Sequence, residues 1–358
     1  MENKVKVGIL GATGFVGQRL AVLLENHPFF DVEVIAASPA SKGKKYCESI
    51  EGRWKLNEKI PEYIKNMTLE SVQDIEKISK KVQLVFCALK LSGDEIRKIE
   101  EEYAKQEVVV VSNNSAHRGT EDVPVLIPEL NNQHLNIIEA QKKRLGSKKG
   151  FIVAKPNCSL QSYLPAVYAL REFEPEVISL TTYQAVSGSG KRLEEYTSIH
   201  DNIIPYIGGE EEKTEKESLK ILGVVSEEKI QNAQEPIISS QCVRVPVSEG
   251  HLAAVSIKFK KRPSKEEIIE KWNNFKADKD IEALPMSPEK LLVYKTEEDR
   301  PQTALDRDEG KGMSITIGRL REDNIFDYKF ICLSHNTLRG AAGGAMLTAE
   351  LLKVRGLV

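Results

Sequence analysis

Directly behind the apolar run Val5–Leu10 stands Gly8-Ile-Leu-Gly11-Ala-Thr-Gly14-Phe-Val-Gly17, which opens into a helix pattern carrying Leu20, Leu23 and Leu24. Glycines at a strand-to-helix turn let the backbone approach a pyrophosphate, and the free amides of the helix N-terminus add donors and partial positive charge. Strand, helix and N-terminal position agree, so the segment predicts a β-α-β fold with a dinucleotide at its first turn. Gly11, Ala12, Thr13, Gly14, Phe15 and Val16 are the candidate contacts.

The same rhythm continues as far as residue 155: apolar runs at 5–10, 32–37, 82–89 and 108–111 alternate with amphipathic or charged helical patterns. This predicts an α/β fold with a doubly wound parallel sheet of Rossmann type, whose strands are apolar on both faces. Past residues 151–155 the texture changes. The stretches 178–186, 252–260, 314–321 and 328–334 alternate polar and apolar residues between long irregular segments, which predicts a second, α+β domain with a mainly antiparallel sheet. From Thr337 the chain is rich in Ala, Gly and Leu and reads as a helix with Leu347, Leu351 and Leu352 on one face. At 358 residues the chain exceeds the roughly 250–300 at which one hydrophobic core stops growing. The expected division is a dinucleotide-binding domain at 1–155, a second domain at 156–335, and a terminal helix at 336–358 packing back on the first. The Lys/Glu-rich segment 141–149 reads as a solvated helix face.

Composition excludes several classes of function. The chain is 41% hydrophobic and 29% charged, and its formal charge of -2 gives no handle for nucleic acid or anionic lipid. No apolar stretch approaches the ~18 residues of a membrane span and no signal-peptide core precedes the first strand, so a cytoplasmic protein is expected. Five cysteines, widely spaced and without a Cys-x-x-Cys pair, suggest neither a disulfide framework nor a zinc site. Cys47, Cys87, Cys242 and Cys332 read as packing.

A site for NAD commonly carries Asp or Glu about 20 residues beyond the glycines, where it holds the ribose 2′-hydroxyl. Here the second strand ends at Ala37-Ser38. Ser38 can bond a 2′-phosphate, Ser41 stands close by, and Lys42, with Lys44 and Lys45, could neutralise it, so NADP is favoured.

Cys158 is placed differently from the other cysteines. Pro156-Asn157-Cys158-Ser159 follows an apolar run and precedes Leu160, Leu164 and Val167 at helical spacing, although Pro165 interrupts that pattern. Helix amides at such a junction lower a thiol pKa and favour the thiolate. The segment Pro-Asn-Cys-Ser-Leu-Gln resembles the nucleophile signature of the aspartate-semialdehyde dehydrogenase family. Residues 182–190, with Gln184, Ser187 and Gly188, are similar to the family's glutamine segment. Arg244 and His251 are seven residues apart, as in its arginine-to-histidine segment, and residues 112–118, ending at Arg118, resemble its phosphate-binding loop.

The resemblance implies a role for each residue. Cys158 would attack the substrate carbonyl, His251 would serve as acid–base partner, and Gln184 would orient substrate and intermediate. Arg244 would grip the substrate carboxylate with its planar guanidinium, and Asn157 beside the nucleophile would join in substrate binding. Arg118 and Lys213 would hold phosphate, with Glu210 on the substrate; the spacing Glu-x-x-Lys recurs at Glu217 and Lys220, but the first pair follows residues 204–209 as the family pattern leads one to expect. Ser187, Gly188, Asn336 and Thr337 would complete the cofactor site. The implied reaction is the reversible, NADP-dependent conversion of β-aspartyl phosphate to aspartate semialdehyde and phosphate through a cysteine thioacyl intermediate, on the way to lysine, threonine and methionine, with no metal required. The implied assembly is a homodimer or a dimer of dimers.

Residues 11–17, 209–213 and 336–345 are closer in pattern to the archaeal and fungal branch than to the common bacterial one. That branch resembles malonyl-CoA reductase, an alternative reading of the same cysteine chemistry. N-acetyl-glutamyl-phosphate reductase is a second rival, though it typically shows glycine where Asn157 stands, and a non-catalytic dinucleotide-binding protein is a third from a different class.

Overall fold

In the computed structural model, which describes residues 4–358, the N-terminal part forms a six-stranded sheet in the order β3-β2-β1-β4-β5-β6. Its strands are β1 (Val5–Leu10), β2 (Phe30–Ala37), β3 (Glu70–Ser71), β4 (Leu84–Cys87), β5 (Val109–Ser112) and β6 (Ile152–Ala154). Every neighbouring pair is parallel. β4 and β5 are buried at each position, as strands covered on both faces must be. The strand order reverses between β1 and β4, and such a reversal leaves a crevice beyond the carboxyl ends of the strands. The apolar run 82–89 yields a shorter strand than its sequence predicts, because Ala88 and Leu89 leave the sheet to line that crevice.

A small ladder pairs β8 (Val224–Val225) with β9 (Ile230–Gln231) after β7 (Pro175–Gln184). The second large sheet runs β10-β7-β11-β14-β13-β12, with β10 (Ile237–Arg244), β11 (His251–Phe259), β12 (Leu292–Tyr294), β13 (Ile315–Glu322) and β14 (Tyr328–Ser334). Its three inner pairings are antiparallel and its two outer ones parallel. Residues of β7 and β11 alternate between buried and partly exposed, so one face meets the core and the other does not. β10 escapes the sequence reading: it is an edge strand, and only Ser240, Cys242 and Arg244 along it are buried.

The helix Leu160–Tyr168 continues through Pro165 and is buried almost throughout. It packs on β11, β13 and β14, and Trp272 donates to its Ala166 carbonyl at 2.9 Å. The C-terminal segment opens with a π-helical turn, Leu338–Ala342, and continues as the helix Gly343–Val354. Residues 343–352 are buried on all sides rather than along one stripe, because the helix lies against the first sheet and the helix Phe15–Leu23. Within the segment 141–149, Gln141 departs from the solvated reading: it is buried and bonds the backbone of Asp122 and Ile152. Cys87, Cys242 and Cys332 are buried, while Cys47 is partly exposed, so packing does not describe it fully. No helix among the described residues is long and apolar enough to cross a membrane.

One buried ion pair ties the C-terminal segment to the rest. Arg339 donates to both oxygens of Glu129, at 2.5 and 2.9 Å, and its Nε donates to Gln161 at 3.0 Å. Removing one partner of a buried pair leaves the other charge uncompensated, so Arg339→Met should lose about 3–5 kcal/mol of unfolding free energy. Urea denaturation followed by circular dichroism measures this, and a loss below ~1 kcal/mol would show that the pair does not anchor the segment.

Candidate active site

The register of the second sheet carries three of the sequence-predicted residues to one end. Arg244 lies opposite Gln184 across the parallel β10/β7 pairing, and Leu252 lies opposite Tyr183 across β11/β7, so His251 begins its strand where β7 finishes. The carboxyl end of β6 delivers residues 155–158 to the same place. There Sγ of Cys158 stands 3.3 Å from Nε2 of His251.

The surrounding hydrogen bonds hold this pair. Nδ1 of His251 accepts from the Ala185 amide at 3.0 Å, which assigns the proton of the neutral ring to Nε2, facing the sulfur. Arg244 donates to the Ala185 carbonyl at 2.7 Å and leaves the rest of its fork for a ligand. A Cβ on Gly188 would fall 2.9 Å from Nη1 of Arg244 and 3.3 Å from the His251 ring, so the glycine leaves the space that both side chains use. Asn157 donates to both oxygens of Glu210, at 3.0 and 2.9 Å, and accepts from the Ser159 amide at 2.8 Å. Gln184 donates to Glu210 at 3.3 Å, and Lys213 reaches the same carboxylate at 3.0 Å.

Both Glu-x-x-Lys pairs have work in this region, on opposite sides of it. Glu210 and Lys213 line the cleft that contains Cys158. Glu217 lies behind them, accepting from Arg118 at 3.0 Å and from the Asn157 amide at 2.7 Å, while Lys220 donates to the carbonyls of Arg118 and Thr120. Arg118 also donates to the Asn113 carbonyl at 3.1 Å, and its Nε is unpartnered. Asn113, which sequence reasoning passed over, lines the cleft with both side-chain polar atoms unpartnered.

The electrostatics correct one expectation. Cys158 precedes the helix Leu160–Tyr168, yet burial and then the carboxylate of Glu210 push its thiol above the ordinary cysteine value, against the pull of Lys155, Arg118 and Arg244. Burial, followed by the Arg244 guanidinium, pushes His251 down to about 3, so the ring is neutral near pH 7. For Glu210, burial acts upward, but Lys213 and the hydrogen bonds from Lys213, Asn157 and Gln184 outweigh it and hold the carboxyl below its ordinary range. Lys155, absent from the sequence-derived set, is pushed down to about 7 by burial and by Arg118. The signal for it was a lysine at the end of the otherwise apolar run Phe151-Ile-Val-Ala.

A groove of about 600 Å³ runs from Ser38 past Gly11, Thr13 and Gly14 to the helix Gly93–Lys105. It meets the Cys158 cleft, of about 640 Å³, along Thr13, Gly14 and residues 88–90. Phe15, Val16, Ser187, Gly188, Asn336 and Thr337 line the second part. Asn336 is held there from two sides, donating to Ser187 and accepting from the Gly250 amide, both at 2.8 Å. Gly11 has φ +87°, and a Cβ there would stand 2.3 Å from the Ala88 carbonyl oxygen, so the crossing of β1 and β4 is open only because no side chain fills it. Ala12 is fully buried and offers backbone alone. Ser41 and Lys42 do not line the groove: they lie at the 3-10 turn beyond Ser38, where Lys42 pairs with Asp74 at 2.7 Å.

Both halves of the chain are similar to known proteins. The family described as "Semialdehyde dehydrogenase, NAD binding domain" matches residues 6–138, and "Semialdehyde dehydrogenase, dimerisation domain" matches residues 165–339. The chain is 42% identical to the aspartate-semialdehyde dehydrogenase of Archaeoglobus fulgidus, covering 98% of each chain. It is 37% identical to the Saccharomyces cerevisiae enzyme of the same name, covering 100% of both. The crystal structure of the Candida albicans aspartate-semialdehyde dehydrogenase with NADP superposes with a TM-score of 0.89 at 35% identity, over 99% of this chain and 100% of that one. These archaeal and fungal relatives match the branch that the sequence patterns resemble.

Ser38 lines the groove directly after β2, and a carboxylate in its place would repel a 2′-phosphate. Ser38→Asp should raise the Kd for NADP by ~10-fold or more, about 1.4 kcal/mol, while leaving NAD binding little changed. Fluorescence titration with each dinucleotide measures it; equal effects on both would remove Ser38 from that role.

Proposed function

The chain belongs to the aspartate-semialdehyde dehydrogenase family, and from that membership we propose that it catalyses the reversible, NADP-dependent reductive dephosphorylation of β-aspartyl phosphate to aspartate semialdehyde and phosphate. The observation that carries the chemistry is the contact of Cys158 with His251 at the floor of a cleft continuous with the dinucleotide groove.

In the oxidative direction Sγ of Cys158 forms a bond to the aldehyde carbon, and the carbonyl oxygen takes up negative charge. His251 donates from Nε2, which suits it to hydrogen-bond and stabilise that oxyanion until hydride leaves the carbon; with Nδ1 occupied by an amide, the neutral ring is a donor rather than a base for the thiol. Arg244 holds the substrate carboxylate, and Glu210 with Gln184 and Asn157 presents a polar wall to the remainder of the substrate. Bound in the groove, NADP would supply the hydride acceptor and NADPH the hydride donor for the reverse direction. Gly11 to Val16, Ser38, Ser187, Gly188, Asn336 and Thr337 are the residues that would hold it. The resulting thioacyl group on Cys158 is cleaved by inorganic phosphate between Arg118 and Lys213, which releases β-aspartyl phosphate and returns the sulfur as thiolate.

Residues 1–155 and 156–335 serve as cofactor and catalytic domains in this reading, with residues 336–358 closing over the first. The partly exposed face of β7 and β11, with Tyr183 on it, supports association of two copies through the second sheet, as a homodimer or a dimer of dimers. Five free cysteines are in keeping with a cytoplasmic setting.

The test of the reaction is NADPH formation, followed by absorbance, from aspartate semialdehyde and NADP with and without inorganic phosphate. Phosphate-dependent formation is expected; silence there, with NADPH oxidised on malonyl-CoA, would transfer the protein to the reductase chemistry. For Arg244, the contact proposed is bidentate, so Arg244→Lys should lower kcat/KM by ~10²-fold, roughly 3 kcal/mol of transition-state stabilisation. Unaltered steady-state kinetics in that variant would remove the arginine from the substrate site.

A further inference from the structure

Behind Cys158 lies a lysine that the reaction as described does not use. Lys155 is 2% exposed, and its ammonium donates to two carbonyl oxygens from different parts of the chain, those of Pro156 and Gly340. Pro156 belongs to the turn that carries the nucleophile, whereas Gly340 sits in the π-helical turn Leu338–Ala342. π-helical turns cost regular hydrogen bonding and recur at functional sites. This one presses directly on the nucleophile: a Cβ on Gly340 would stand 2.8 Å from Cβ of Cys158. The stem of Lys155 passes beneath Gly344, whose added Cβ would lie 3.6 Å from its Cδ. Lys155 also lines the cleft with Cys158.

Hydrogen bonds to carbonyl oxygens satisfy an ammonium without neutralising it, so the positive charge remains available to the sulfur. The charged and titratable groups facing Lys155 are Arg118 and Arg339, which repel it, and Cys158 and Glu217, which attract it. Those facing Cys158 are Glu210, which opposes the thiolate, and Lys155, Arg118 and Arg244, which favour it, with the neutral His251 in contact. Arg118 and Arg244 are engaged elsewhere, with Glu217 and with the Ala185 carbonyl.

We infer that Lys155 is a positioning residue for the nucleophile: bridging the carbonyls of Pro156 and Gly340, its ammonium locks the Cys158 turn against the C-terminal π-helical turn and adds a buried positive charge that eases ionisation of the thiol. The burial that pushes the lysine down to about 7 and the thiol up disfavours each charge alone. Each charge favours the other, so loss of the ammonium makes the thiol harder to ionise. This inference rests on the reading of Cys158 as nucleophile.

The test compares wild type, Lys155→Met and Cys158→Ala by the pH dependence of alkylation with iodoacetamide, followed by mass spectrometry at Cys158, alongside NADP titration and steady-state kinetics. Lys155→Met keeps the length of the side chain and removes its charge. It should alkylate at Cys158 at least ~10-fold more slowly at pH 7, its profile displaced upward by about one pH unit, with kcat lowered more than KM changes and NADP binding retained. An alkylation profile identical to wild type would overturn the inference even if turnover fell, since that pattern belongs to a purely structural lysine. Should Lys155→Met fail to fold, Lys155→Gln takes its place in the same measurement: an alkylation profile displaced upward from wild type is expected, and one identical to wild type overturns the inference. Turnover surviving in Cys158→Ala would instead defeat the assignment of the nucleophile, a separate failure.

Discussion

The site depends on the carboxylate of Glu217. Its two oxygens are bound to different segments, one to the guanidinium of Arg118 and the other to the amide of Asn157. The loop after β5, the turn after β6 and the helix Glu210–Ile221 are thereby fixed to one buried point. The next layer follows geometrically: Asn157 is aimed at Glu210, Glu210 collects Gln184 and Lys213, and Cys158 emerges between them and His251. A charge-assisted bond at this depth is strong and directional, so a small displacement of the helix would move Cys158, Arg118 and Lys213 together.

The charges in the cleft are arranged so that most groups cannot change state near neutrality. Burial and Arg244 keep His251 neutral, and Lys213 with its neighbours keeps Glu210 ionised. The exception is Lys155, brought to about 7 by burial behind the cleft, while burial keeps the thiol of Cys158 above its ordinary value. Such preorganisation leaves little reorientation to be done as charge develops on substrate oxygen.

The two sheets meet through polar contacts as well as through a shared core. Glu249, two residues before His251, accepts from Arg19 of the helix Phe15–Leu23 at 3.4 Å and from Thr337 at 2.7 Å. Across the mouth of the cleft Lys55 bonds Glu195 at 2.6 Å and the Gly190 carbonyl at 3.0 Å. The loop that carries the histidine is thus connected to the helix that follows the glycine turn, and dinucleotide and cysteine sites share one frame.

Much of this was legible in the chain. Local rules sufficed for the glycine turn, the parallel sheet and the alternating strands of the second one, because periodicity and turn chemistry are properties of neighbouring residues. The motif segments marked Cys158, Gln184, Arg244 and His251, and the structure gathers them at one end of the second sheet. Edge strand β10 stayed hidden since its burial is confined to its last residues. The thiol pKa was read in the wrong direction because helix amides are local and visible in sequence, whereas burial and Glu210, 52 residues away, are not. Lys42 showed its charge but not its partner Asp74, which only the pairing of β2 with β3 brings near. The sequence by itself determined which chemistry the chain carries, since that is set by residue type and order. Which glutamate faces the cleft, which holds the frame, and that Lys155 reaches across to the Gly340 carbonyl were decided by tertiary structure alone, because hydrogen bonds and electrostatic fields act through space between residues that the chain keeps far apart.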